Sequence, residues 1–376
     1  MINFSEFGKI NSMKSENLKV QDSSDNTKYT YSATSESFLD GIFVKHIVKP
    51  MLKVIPYGIP ANIITIFSNS LVILSFIIAM QATRGSHFLW FLIPIFITVY
   101  VIGDSLDGEQ ARRTKTGSPL GEFMDHFLDT FVTGVLIISM AVSYDITNPF
   151  VIYISLFISY TTQGTAFWEK YRTHRMVFGK FSSSETILTF TLIITLAGIT
   201  PIHDALCTRL SEIGFIQNSF LSSYPAVLDM NIMAVIMLVM DLVAIGNITI
   251  TLIRCGGASA KYWLHLLLAG ITAVFFMLSD IQFLHIPPIT YSFLNIDYIS
   301  SLLVSIVEKK KDPWPDFILP AASIVIYFMH IDTPLAAVLC LVFIMLRIVI
   351  RVTAFIVRNR KYWVWKNPAP VAESNQ

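Results

Sequence analysis

Charge is what this 376-residue sequence has little of: Asp, Glu, Lys and Arg make up 14% of it, against roughly a quarter in ordinary globular chains. Hydrophobic residues make up 53%. A soluble domain cannot keep that much apolar surface from water with so few charges, which excludes a cytosolic enzyme, a secreted domain and a disordered scaffold. Cysteine is scarce as well. Cys207, Cys255 and Cys340 are far apart with no Cys-x2-Cys pair, so neither a disulfide framework nor a zinc site is expected. A formal charge of +1 leaves no basic footprint for nucleic acid. The first 40 residues lack the apolar core of a signal peptide, and no internal repeat or separate soluble domain is visible.

What is present is a succession of apolar runs, each near the roughly 20 residues that span a bilayer. They predict an all-α polytopic membrane protein of about ten transmembrane helices, at 62–83, 88–107, 125–143, 149–168, 184–200, 231–253, 262–279, 290–307, 316–331 and 334–357. The run at 290–307 contains Asp297, and a tight turn at Asp332-Thr333-Pro334 separates the last two. Before them, residues 1–37 read as a flexible cytosolic tail. Residues 38–58, where Lys45, His46, Lys49 and Lys53 interrupt apolar residues, read as an interfacial amphipathic helix. A membrane domain is expected over 59–358, with its catalytic core at about 59–200, followed by a cytosolic tail at 359–376. Lys and Arg gather on the cytosolic side of membranes. With ten spans, all of the 27 except Arg84 and Arg209 fall on one side, so both termini are expected in the cytosol.

Ionisable residues inside spans are costly and mark function by default. Gly103-Asp104-Ser105-Leu106-Asp107-Gly108-Glu109-Gln110-Ala111-Arg112-Arg113 closes the second span, and Gly121-Glu122-Phe123-Met124-Asp125-His126-Phe127-Leu128-Asp129 opens the third. On helices, Asp104, Asp107, Gly108 and Ala111 share one face, and so do Gly121, Asp125 and Asp129. Two antiparallel helices joined by a short loop can therefore bring four carboxylates together, which repel unless cations join them. Oxygen-only ligands suit Mg²⁺, Mn²⁺ or Ca²⁺ rather than zinc. Such ions neutralise charge that develops during displacement at phosphorus. Gly108, Ala111 and Gly121 leave room for a bulky ligand, and Arg112 offers a planar fork to a phosphate. These residues point to a metal-dependent site for a diphosphate-bearing substrate at the cytosolic face.

The spacing D-x2-D-G-x2-A-R-x8-G-x3-D-x3-D, met by Asp104, Asp107, Gly108, Ala111, Arg112, Gly121, Asp125 and Asp129, resembles the signature of the CDP-alcohol phosphatidyltransferase family. The wider string through Thr114, then Ser118-Pro119-Leu120-Gly121-Glu122 and Asp125-His126, resembles its cholinephosphotransferase and ethanolaminephosphotransferase branch. So does Ile59-Pro60-Ala61-Asn62-Ile63-Ile64-Thr65. The resemblance is strong over about residues 40–190. It implies transfer of a phosphoalcohol from CDP-choline or CDP-ethanolamine to diacylglycerol with release of CMP. It also implies two Mg²⁺ or Mn²⁺ ions on the four aspartates, CDP against Asn62, Asp104, Gly108, Ala111, Arg112 and Gly121, and a homodimer. The membrane would be endoplasmic reticulum or Golgi in a eukaryote, and the inner membrane in a bacterium. Glu109 stands where the branch usually has Lys, Ser105-Leu106 where it has a smaller pair, and Phe127-Leu128 where it has Gly-Cys. These departures leave the headgroup and the acceptor open. A different acceptor such as a sphingoid lipid, or a CDP-diacylglycerol donor, is the alternative within the family, and a ten-span ion-coupled transporter is the remote one.

For the proton acceptor, His126 and Asp129 are the candidates. His126 lies on the carboxylate side of the third span, and its imidazole suits proton abstraction near neutrality. Glu185, in Ser182-Ser183-Ser184-Glu185, reads equally as a helix cap or as a partner that holds the imidazole. Arg113 and Lys115 read as topology charges or as phosphate steering. Asp241 reads as a packing residue or a substrate contact, and Lys309-Lys310-Lys311 as a patch for anionic lipid. Trp363 and Trp365 read as interface anchors.

Overall fold

The computed structural model describes residues 33–35, 38–81, 87–178, 183–279, 286–331 and 333–363. The expected tails lie outside these residues except at 33–35 and 359–363, and Trp365 lies outside as well. Nearly everything described is helical. A helix satisfies all its backbone groups within itself, as hydrocarbon surroundings require. The expected interfacial segment forms α1 (Phe38–Phe43), which continues through a π-helical turn at Val44–Val48 into α2 (Lys49–Val54). Lys45, Lys49 and Lys53 are exposed, and so are Ile47, Met51 and Val54.

A helix then stands at each of the ten expected places: α3 (Ala61–Gln81), α4 (His87–Thr114), α5 (Pro119–Ser143), α6 (Pro149–Thr173), α7 (Ser183–Ala197), α9 (Ile232–Arg254), α10 (Ala260–Leu278), α11 (Ile286–Val307), α12 (Ile318–Phe328) and α13 (Thr333–Asn359). Their starts follow local chemistry. Ser118 Oγ accepts from Gly121 N at 3.0 Å with Pro119 behind it, Asn148 caps α6 from in front of Pro149, and Asn231 and Ser259 cap α9 and α10. Pro287 and Pro288 fall in the first turn of α11, where a missing N–H costs nothing. That helix therefore starts before the expected residue 290.

By length and composition alone, fewer than ten of these helices stand out as spans. Among the described residues, seven helices are long and apolar enough to cross a membrane. An eighth span would be a broken one, Glu185–Ala197 plus Thr200–Cys207, bent by 104°. The second arm of that break, α8 (Thr200–Cys207), begins at Pro201 just after Gly198. α6 is long enough, but Thr161, Thr162, Gln163, Glu169 and Lys170 make it too polar to face lipid, and it is largely buried. α12 is too short to span alone, at 11 residues.

Helices α5 and α11 lie mostly inside the protein, whereas α9, α10 and α13 turn rows of large apolar side chains outward, such as Leu242, Ile250, Leu267, Leu346 and Ile350. α3 packs on both α4 and α5, α5 on α11, and α4 on α7. The approach of α3 to α4 depends on Gly103, because a Cβ there would lie 2.5 Å from Ser68 Cβ. The sequence gives no sign of strand, yet β1 (Ala33–Ser35) and β2 (Met176–Phe178) pair in parallel, with Ala33 opposite Met176.

Candidate active site

The end of α4 and the start of α5 are joined by a short polar loop, as the spacing requires, and α3 lies across both. Gln110 donates to the carbonyls of Pro56 (3.3 Å) and Ile59 (2.6 Å). Arg113 donates to those of Leu52 (2.6 Å) and Ile55 (2.8 Å) and sits over the Tyr57 ring. The structure thus gives Arg113 a third role beside topology and steering: it ties the end of α4 to the interfacial helix.

All four aspartates converge. Asp107 is buried, and Thr65 Oγ1 donates to its Oδ2 at 2.5 Å. Tyr100 donates to Asp129 Oδ1 at 2.7 Å, and Gln163 donates to the Asp129 carbonyl at 3.3 Å. Asp125 Oδ1 is buried without a hydrogen-bond partner. Asp107 repels Asp104 and Asp129, and Asp125 repels Asp104 and Asp107. Asp125, His126 and Asp129 each offer a ligand atom within 4.8 Å of the others.

The small residues are placed to admit a ligand. A Cβ on Gly121 would meet Asn62 Oδ1 at 3.1 Å, so glycine lets Asn62 reach the loop side of the aspartates. A Cβ on Gly108 would touch only the Arg112 guanidinium, at 3.4 Å. Ala111 is partly exposed, and Arg112 is exposed and paired with Glu109 at 3.0 Å. An exposed pair of this kind is worth about 0–1 kcal/mol, so it does not hold the guanidinium away from an anion.

His126 is buried against Phe167. Lys170 lies 3.0 Å from its Nε2 and is also ion-paired with Glu122. An ammonium can only donate, so Nε2 accepts and the neutral ring carries its proton on Nδ1, which faces Asp125 at 3.7 Å. Glu185 is buried in the first turn of α7. Sequence reasoning missed Thr65, Tyr100, Glu122, Gln163 and Lys170. Glu122 stands four residues before His126 on one helix face, which was a readable signal. Lys170 resembles an ordinary topology charge and gave none. Phe127, one of the departures from the branch, is buried between Phe123 (5.6 Å) and Phe131 (5.4 Å). Asp241 is a packing residue whose Oδ2 accepts from Ser155 at 2.6 Å.

Comparison with known proteins points to one family. Residues 59–216 match the CDP-alcohol phosphatidyltransferase family. The chain is similar to ethanolaminephosphotransferase 1 of Homo sapiens, 28% identical over 188 residues, or 45% of this chain and 46% of that protein. It is 25% identical over 177 residues to choline/ethanolaminephosphotransferase 1 of Saccharomyces cerevisiae, covering 46% and 45% of the two. An uncharacterized CDP-alcohol phosphatidyltransferase class-I family protein 2 of Dictyostelium discoideum is 28% identical over 177 residues, covering 46% of this chain and 43% of that one. These alignments span less than half the length of the curated relatives.

Proposed function

We propose, from the premise that residues 59–216 are a CDP-alcohol phosphatidyltransferase domain, that this protein transfers phosphocholine or phosphoethanolamine from CDP-choline or CDP-ethanolamine to the hydroxyl of diacylglycerol, releasing CMP. One observation carries the reading: four converging carboxylates, one with an orphaned buried oxygen, beside two glycines that leave room for a ligand. That donor set, all oxygen and short of positive charge, fits two Mg²⁺ or Mn²⁺ ions held by Asp104, Asp107, Asp125 and Asp129. When bound, such ions supply charge neutralisation for the diphosphate.

The chain's own residues do the rest. Asn62, Gly108, Ala111 and Gly121 receive the nucleotide, and Arg112 turns from Glu109 toward the diphosphate. His126 takes the proton of the acceptor hydroxyl. Its lone pair is engaged by Lys170 at rest, so the acceptor displaces that ammonium, which Glu122 keeps close. Asp125, which faces Nδ1 at 3.7 Å, orients the ring, Glu185 is the alternative partner for it, and Asp129, held by Tyr100, is the alternative base. By resemblance the protein is a dimer, in the endoplasmic reticulum or Golgi of a eukaryote or the inner membrane of a bacterium; the placing of Lys and Arg supports both termini in the cytosol, which requires an even number of spans. Glu109, in the place where the branch usually has Lys, favours one second reading, a family member with a sphingoid acceptor or a CDP-diacylglycerol donor.

The test is CMP release by purified protein given Mg²⁺ or Mn²⁺, a panel of CDP-alcohols and a panel of lipid acceptors. Release that needs metal, a CDP-linked headgroup and diacylglycerol supports the proposal. Activity restricted to another acceptor or to CDP-diacylglycerol moves it to the second reading, and no CMP from any pair overturns both. Within this assay, His126→Ala should lower turnover about 10²–10⁴-fold, the usual contribution of a general base. Wild-type turnover in that variant would return the role to Asp129.

A further inference from the structure

At the other end of α5, one helix length from the aspartates, a different set of donors meets. Asp145 follows the last turn of α5 with a positive φ of 50°. His203 and Cys207 stand one turn apart on α8, the second arm of the broken span. One ligand atom from each of the three lies within 4.8 Å of the others. Cys207 Sγ is 3.5 Å from His203 Nε2. Sulfur at about 2.3 Å and nitrogen at about 2.05 Å from one tetrahedral ion would stand about 3.6 Å apart. The other ring nitrogen, Nδ1, lies 3.2 Å from Asp204 Oδ1. A carboxylate in that position is what commonly fixes the tautomer of a metal-ligating histidine, and it leaves Nε2 facing the sulfur.

The scaffold beneath is well anchored. Tyr144 stacks on the His203 ring at 5.8 Å and donates to Ile193 O at 2.6 Å. Its carbonyl accepts from Asn231 Nδ2 (2.7 Å) and, while Cys207 is a thiol, from Cys207 Sγ (3.4 Å), a bond given up when the thiol releases its proton to solvent on binding a cation. We propose that Asp145, His203 and Cys207 form a site for a thiophilic divalent cation of the zinc type, with the fourth position open to solvent. Its donors separate it from the aspartate cluster: one thiolate and one imidazole select zinc-type ions, whereas four carboxylates select Mg²⁺ or Mn²⁺. Bound there, the ion would staple the end of α5 to α8 and fix the 104° break. The cysteine spacing hid this, because one His-x3-Cys turn is a weak signal and Asp145 comes from another helix.

The test uses the full-length, reduced protein in detergent with excess Mg²⁺ to occupy the aspartates. Co²⁺ is titrated while its sulfur-to-metal charge-transfer absorption is followed. The expected result is saturation at one Co²⁺ per chain, displacement by equimolar Zn²⁺, and no band in Cys207→Ser. Cys255→Ser and Cys340→Ser should keep it. Asp145→Asn, an exposed and isosteric change, should weaken Co²⁺ binding at least tenfold, and Asp204→Asn about tenfold. No band in the wild type, or a band that survives Cys207→Ser, overturns the site. So does unchanged affinity in Asp145→Asn. CMP release plays no part in these readings, so they stand apart from the proposed transfer reaction.

Discussion

Two groups of carboxylates lie among the helices of this membrane domain, one buried and one only partly buried, and they are handled in opposite ways. In the first, Asp297 on α11 and Asp316 before α12 meet Arg347 and Arg351 of α13. Arg347 bridges both acids. Arg351 donates to Asp297 Oδ1 at 2.7 Å, to its carbonyl at 2.8 Å and to Ser300 Oγ at 3.0 Å, while Asp316 Oδ2 accepts from Leu319 N at 2.8 Å. Two negative charges face two positive ones. In the second, Asp104, Asp107, Asp125 and Asp129 repel one another, and among the described residues the cation recorded beside them is Lys170, which acts on Asp125 and is already engaged by Glu122. A matched network is complete within the chain, whereas a cluster short of cations is complete only when something from outside joins it. The difference separates architecture from chemistry, although hydropathy alone would mark both as anomalies.

Removing one aspartate from the unmatched cluster should have the largest effect, and on activity alone. Asp107→Asn and Asp125→Asn should each lower CMP release about 10⁴-fold, close to 5.5 kcal/mol of barrier. Folding should be intact, because like charges are being removed from one another's field. Thermal unfolding in detergent without metal should show equal or higher stability, and a marked fall in that midpoint would erase the contrast.

The matched network should respond the other way. Arg347→Met leaves Asp297 and Asp316 short of a cation, and breaking such a buried pair typically costs about 3–5 kcal/mol. The thermal midpoint should fall sharply, while turnover per folded molecule stays near that of the wild type. A lost turnover in protein that remains folded would place Asp297 in the catalytic machinery.

How much of this was legible in the sequence follows from the kind of signal. The aspartate spacing named one face on each of two helices, and the helices stand where apolar length put them. Two features were written in residues too common to stand out: the polar, buried α6 with Lys170, and the break at Gly198 and Pro201 that turns α8 aside. Hydropathy located the buried helices α5, α6 and α11 but cannot tell an apolar face that meets lipid from one that meets protein. Arg347 and Arg351 fitted the positive-inside pattern so well that their pairing with Asp297 was hidden. Thr65 closes the Ile59-to-Thr65 segment, but its hydrogen bond crosses from α3 to α4. A long-range contact of that kind leaves no local pattern.

Thr65 offers a finer cut through the comparison. Its hydroxyl orients Asp107, and removing an outer hydrogen bond to a metal-binding group commonly costs 10–100-fold in metal affinity. Thr65→Val should therefore raise the Mn²⁺ concentration for half-maximal CMP release by about that factor. Turnover at saturating Mn²⁺ should stay close to the wild-type value. Loss of turnover that Mn²⁺ cannot restore would mean that Thr65 acts on the substrate instead.

A third buried carboxylate, Asp241 on α9, tests whether the comparison reduces to the presence of a cation. It is buried and accepts from Ser155 Oγ on α6 at 2.6 Å, and no ion pair to it is found among the described residues. An asparagine there keeps an oxygen for the Ser155 hydroxyl and takes a countercharge from no arginine. Asp241→Asn should therefore shift the thermal midpoint much less than Arg347→Met does, with CMP release unchanged. Arg347→Met and Asp241→Asn each remove one charge from a buried site, yet only the first leaves opposite charges unmatched. A thermal shift in Asp241→Asn as large as that of Arg347→Met would show that burial, rather than pairing, governs these sites. A loss of CMP release with the fold intact would move Asp241 from packing to chemistry.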